Sequence, residues 1–165
     1  LQEEGLVRRH RHRGTQVSAC TAEEAGEPHR IRQEIEGAGV LRVVARPSPT
    51  LVDDLVGLTD DMLEAAGADD EMRLAALDRD FHRRLFHDAG LPALEPILQR
   101  CLVHNHRFKI SRSEGRRDLA ATALRHRPIV EAIAAGEVAR AVRALHHHVA
   151  TIVDFGPDVF TGAAS

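Results

Sequence analysis

Beyond residue 21, apolar positions recur every three or four residues, the period of a helix with one buried face, and no strand-like alternation appears after Val17. The first twenty residues read differently. Residues 5–10 and 15–18 look like two short strands around Arg11-His12-Arg13-Gly14, which predicts a hairpin. Thr21-Ala22-Glu23-Glu24 matches a capping box, hydroxyl first and carboxylate three residues on. A long helix is therefore predicted from there to about residue 45, where Arg46-Pro47-Ser48-Pro49 stops it. Five more helices are predicted over residues 50–66, 70–89, 92–112, 116–135 and 137–155. Gly90 and Gly136 stand where helix C-terminal glycines do, Pro92 stands in a first turn, and Pro128 either kinks the fifth helix or restarts it. The expected fold is all-α, an antiparallel bundle of six to seven helices behind a short N-terminal β-hairpin.

Some polar residues fall on the faces that should be apolar. At 100° per residue, the third helix places Leu74, Leu77, Phe81, Leu85 and Ala89 on one side, and Asp78 and His82 lie within the same arc. Arg79, Asp80, Arg83 and His87 project away from it. A carboxylate in a core-facing stripe is costly unless a cation or donor meets it, and residues four apart can converge on one point. The same projection puts His126 between Leu119, Val130 and Ile133. On the last helix, Val138, Val142, Leu145, Val149 and Ile152 form the stripe, with His146 and His148 on its two edges and His147 outward. Asp78, His82, His126 and one of His146 or His148 would make an Asp–His₃ donor set for a divalent metal, suited to Zn²⁺, Ni²⁺ or Mn²⁺. For any one of these histidines, the competing reading is a hydrogen-bonded core side chain.

Composition narrows the class. A chain of 165 residues suits one domain or a domain with a small appendage, and 43% hydrophobic residues with a net charge of −3 argue against disorder. No apolar run approaches the roughly 20 residues of a membrane-spanning helix. Cys20 and Cys101 lie far apart with no CxxC partner, which leaves no disulfide framework and makes a reduced cytoplasmic setting the expectation. The 11 histidines are an excess, and Lys109 is a single lysine against 21 arginines.

Taken in order, LQEEGLVRRHRHRGTQV, the pattern Ile31-Arg32-Gln33-Glu34-Ile35-Glu36, Leu77-Asp78-Arg79-Asp80-Phe81-His82, His126 before Ile129-Val130-Glu131-Ala132-Ile133, Gly136-Glu137, and Ala141–His148 with its three consecutive histidines are similar to one family. The chain resembles the C-terminal ligand-binding (FCD) domain of the FadR-like branch of GntR-type bacterial transcription regulators. The resemblance covers nearly the whole chain. It implies that residues 1–20 are the wing of a winged helix-turn-helix, that 21–157 form the effector domain, and that 158–165 are a disordered tail. On that reading the rest of the DNA-binding part is expected to precede Leu1. In metal-binding members of the family, the matching positions hold the cation, which here means Asp78, His82, His126 and His148, with Zn²⁺ first and Ni²⁺ or Mn²⁺ as alternatives. Two departures stand out: Gly90-Leu91-Pro92 where the family often has Gly-Asn-Pro, and Arg125 where it often has Glu before the third ligand.

The resemblance implies a regulator, not an enzyme, whose small carboxylate or hydroxy-acid effector binds at the metal and shifts affinity for operator DNA, in a homodimer. Arg32, Asn105 and Arg112 are candidates to grip the effector, and Arg8, Arg9, Arg11 and Arg13 on the wing are candidates to contact DNA. Alternatives are a metal-free domain for a larger acid or acyl group, and a metal-dependent helical-bundle enzyme. The enzyme would need a general base, and Asp80 and Glu131 project away from the site.

Overall fold

The computed structural model describes residues 7–10, 14–18, 22–113 and 118–151. Among them are one hairpin and seven helices, a helical bundle of the predicted class. Strands β1 (Val7–His10) and β2 (Gly14–Val17) pair antiparallel in the register Val7 with Val17 and His10 with Gly14. The hairpin is thus as predicted, with β2 beginning one residue early at Gly14, whose φ of 81° suits a residue without a side chain. Its tip, Thr21 of the expected capping box, and the tail at 158–165 lie outside the described residues.

The bundle is built from α1 (Ala22–Ala45), α2 (Leu51–Gly67), α3 (Glu71–Asp88), α4 (Glu95–Ser113), α5 (Leu119–Leu124), α6 (Arg127–Ala134) and α7 (Val138–Thr151). The long α1 packs against α3, α4 and α7, while α2 lies against α3, α5 and α6. Asp70 caps α3 by accepting a 2.9 Å hydrogen bond from the Arg73 amide, and Asp118 caps α5 in the same way through Ala121. Gly90 and Gly136, at φ of 65° and 69°, end their helices in the left-handed region as the sequence implied. No helix is long and apolar enough to cross a membrane among the described residues.

Two boundaries differ from expectation. The fourth helix starts at Glu95, because residues 91–94 first make a tight turn closed by the Leu94 amide on the Leu91 carbonyl. The fifth predicted helix is two helices. Pro128 has no N–H to give the carbonyl four residues back, so the chain turns at Arg125-His126 and restarts as α6 with Pro128 in its first turn. His126 is consequently the N-terminal boundary residue of α6, not a mid-helix residue on an apolar stripe.

The core gathers Leu51, Leu55 and Met62 of α2, Leu74 and Phe81 of α3, Leu98 and Leu102 of α4, Ile129 of α6, and Leu145 and Val149 of α7, none more than 2% exposed. Two glycines of α1 lie close to side chains of neighbouring helices. A Cβ on Gly37 would stand 2.7 Å from His146 Nε2 of α7, and one on Gly39 would stand 2.9 Å from the Phe86 ring of α3. At Gly39 a bare backbone gives the buried Phe86 ring its place, whereas at Gly37 the exposed end of His146 would have to move aside.

Candidate metal centre

Asp78 and His82 lie one turn apart on the buried face of α3, His126 is delivered by the break between α5 and α6, and His148 comes from the last turn of α7. All four are at most 1% exposed, and their ligand atoms lie within 4.8 Å of one another. His82 Nε2 is 3.1 Å from His148 Nε2, and His126 Nε2 is 3.3 Å from Asp78 Oδ1. Nitrogen and oxygen donors bound to zinc at about 2.1 Å lie roughly 3–4 Å from each other, so the four atoms are spaced as a cation requires.

The surroundings aim the donor atoms inward. His126 Nδ1 lies 3.1 Å from the Ala123 carbonyl, an acceptor, so Nδ1 carries the proton and Nε2 presents a lone pair. That lone pair faces Asp78 Oδ1, a second electron-pair donor that is buried and has no hydrogen-bond partner. Two such atoms facing each other in a dry interior are an arrangement that a cation stabilises, so the donor set fits a divalent metal. On the opposite side, His82 Nδ1 meets Glu36 Oε2, which leaves its Nε2 as the ligating nitrogen. Phe81 closes the floor, its ring 4.6 Å from that of His126 at 65°.

Electrostatics agree with this assignment. Burial pushes the Asp78 carboxyl up, but the charge and hydrogen bond of His106, with His82 beside it, outweigh it and hold the group well below the ordinary aspartate range. Burial pushes Glu36 up as well, and the charge of Arg32 together with His82 brings it down to about 2. Burial, with His126 and His82 as neighbours, drives the His148 imidazole well below its usual value, so it is neutral and able to ligate.

Of the two edge histidines, His148 is buried and His146 is exposed. Arg32 is fully buried. Its Nε donates to Glu36 Oε1 at 2.6 Å, its Nη2 stands 3.0 Å from His82 Nε2, and its Nη1 has no hydrogen-bond partner. Asn105 of α4 is also fully buried, with neither amide atom hydrogen-bonded. The Arg112 side chain lies outside the described residues, as do Arg11, Arg13 and the side chain of Arg8, whereas Arg9 is exposed on β1. Asp80 and Glu131 are exposed and paired with Arg83 and Arg140.

Sequence reasoning missed two residues of the centre and misplaced a third. Glu36 is one helical turn beyond Arg32 on α1, so projecting that helix would have placed both on its inner side. His106 of α4 is buried, and its Nε2 lies 2.8 Å from Asp78 Oδ2. The stripe Leu98, Leu102, His106 and Lys109 would have exposed it, had α4 been read as buried over a wider arc than the one through Leu94, Leu98, Cys101, Asn105 and Phe108. Arg79, expected to point away, is half-buried, with Nη1 3.5 Å from His106 Nδ1.

Comparison with known proteins is consistent with this architecture. No curated protein matches the chain. Among solved structures, E. coli McbR/YncC superposes with a TM-score of 0.80 at 16% identity, covering 91% of this chain and 76% of that one. A GntR regulator from Rhodococcus sp. RHA1 gives 0.71 at 25% identity over 92% and 74%, and Streptococcus agalactiae GntR gives 0.67 at 18% over 92% and 75%. A family match to the FCD domain spans residues 27–151, from early α1 to the end of α7, and takes in all four clustered residues. The chain therefore belongs to the FCD domain family, and its bundle is the one found in regulators of the GntR type.

Proposed function

We propose that this chain is the effector-sensing part of a GntR-type transcription regulator, in which Asp78, His82, His126 and His148 hold a divalent metal and the metal receives a small carboxylate or hydroxy-acid effector. The observation that carries the reading is the buried set of four ligand atoms within 4.8 Å, drawn from three parts of the fold. Zn²⁺ suits three neutral imidazoles and one carboxylate best, with Ni²⁺ or Mn²⁺ as alternatives. The metal would supply a Lewis-acidic point at which an effector oxygen can bind. The protein's own part is to present four lone pairs, to exclude water with Phe81, and to offer unpartnered polar atoms to the rest of the effector. Arg32 Nη1 and both amide atoms of Asn105 are such atoms, and Arg112 is a further candidate.

Effector binding then shifts the equilibrium between two arrangements of the regulator that differ in affinity for operator DNA, the differential binding that any such switch requires. Arg8, Arg9, Arg11 and Arg13 of the wing contribute phosphate contacts, and the assembly is a homodimer in the cytoplasm. The test is metal analysis of the purified chain with thermal melting in the presence of chelator or Zn²⁺. Saturation at 100 times the dissociation constant should add about 2.7 kcal/mol of stability, seen as a melting point several degrees higher, and His82→Ala and His148→Ala should abolish that gain. A chain that carries no metal and melts identically with chelator and with Zn²⁺ overturns the reading.

A further inference from the structure

The fourth imidazole of the centre, His106, has no place in the ligand set. His106 belongs to α4, a helix that gives the cluster no ligand, yet it is 5% exposed and its Nε2 is 2.8 Å from Asp78 Oδ2. Its other ring nitrogen, Nδ1, stands 3.5 Å from Arg79 Nη1, an obligate donor. Both neighbours require the same tautomer. The carboxylate can only accept and so demands a proton on Nε2, while the guanidinium can only donate and so demands a lone pair on Nδ1. A chain of two hydrogen bonds thus runs from the half-buried Arg79 through His106 to Asp78.

This chain makes the two oxygens of Asp78 unequal. Oδ2 accepts from His106, whereas Oδ1 has no hydrogen-bond partner and lies 3.3 Å from His126 Nε2. A free carboxylate can offer a cation one oxygen or both, and each further oxygen uses up a position that an exogenous ligand could take. We propose that His106 is a positioning residue that reserves Oδ2 of Asp78 for itself, so that only Oδ1 is offered to the metal and a coordination position is kept free for the effector. Without the imidazole, Asp78 can rotate and offer both oxygens. The inference rests on the metal-receptor reading above, and it explains why a helix without a ligand places a buried histidine at the centre.

The test uses the full chain loaded with Co²⁺, whose visible absorption reports coordination number, and with Zn²⁺ for affinity by chelator competition. His106→Met should weaken Zn²⁺ binding about 10- to 100-fold, the range found when an outer partner of a metal ligand is removed, and should shift the Co²⁺ bands toward higher coordination. His106→Gln, which keeps a donor at the same reach, should restore both to near the parent. Unchanged affinity and an unchanged Co²⁺ spectrum in His106→Met overturn the inference and leave the metal reading standing. A parent chain that binds neither ion overturns both. If His106→Met does not fold, ¹⁵N spectra of the Zn²⁺-loaded parent decide: a proton on Nε2 of His106 supports the inference, and a proton on Nδ1 or a metal-bound ring overturns it.

Discussion

Phe81 shows what a single side chain does in this molecule. It is fully buried, next in sequence to His82, and its ring packs edge-on against both His82 and His126. Replacing it by alanine removes buried contact area and leaves a cavity against two candidate ligand side chains. Phe81→Ala is expected to cost about 3–5 kcal/mol by urea denaturation, and to weaken metal binding through loss of orientation at His126. His148 sets the response to acid. Its folded pKa lies well below the ordinary histidine value of about 6.5, so the unfolded chain takes up a proton that the folded one resists. Stability attributable to His148 is therefore full above pH 6.5 and is lost as pH falls below it, with a limiting slope of about 1.4 kcal/mol per pH unit. His106 acts in the same direction, since burial outweighs Asp78 in lowering it. With chelator present, melting points should fall between pH 7.5 and 5, and His148→Leu should flatten part of that slope.

Among the elements, α2 and α3 are joined by more than apolar packing. Arg84 of α3 donates to Asp54 of α2 at 2.8 Å, to Asp88 on its own helix, and to Ser48 Oγ at 2.9 Å in the connection before α2. Asp88 in turn accepts from the Ser48 amide at 2.8 Å, fixing the turn that follows α1. Burial raises the Asp88 pKa, but Ser48 and Arg84 together bring it below the ordinary value of 3.8. Its contribution is therefore present above that pH and lost as pH falls through the lower folded value. Arg84→Met should cost about 1–2 kcal/mol at neutral pH, with the difference from the parent shrinking in acid as Asp88 is protonated in both chains. Thermal melts at pH 7 and pH 3 check both statements. The break between α5 and α6 has the opposite character: it gives up helical continuity to deliver His126, whose Nδ1 is held by the Ala123 carbonyl of the helix just ended.

At the scale of the whole molecule, the glycines of α1, the break before α6 and the last turn of α7 combine to close one buried centre in a bundle. Because the candidate ligands come from α3, the α5–α6 break and α7, a metal would cross-link three segments of the chain between Asp78 and His148. The Zn²⁺-dependent rise in melting point predicted above is expected of the whole bundle, since no single helix contains the site.

Periodicity alone determined that the chain is helical, that it opens with a hairpin, and where most helices stop. Those features depend on local chemistry: proline without an N–H, glycine at positive φ, and apolar residues at helical spacing. Periodicity also marked Asp78 and His82 as misplaced on an apolar face, because the cost of a buried carboxylate is legible wherever a stripe is regular. Tertiary packing decided the rest. Only the packing of α7 into the bundle separates buried His148 from exposed His146, and only the turn at Arg125-His126 aims His126 at Asp78. Glu36 and His106 belong to the centre because α1 and α4 flank α3, a relation between helices that the period of any one of them does not contain.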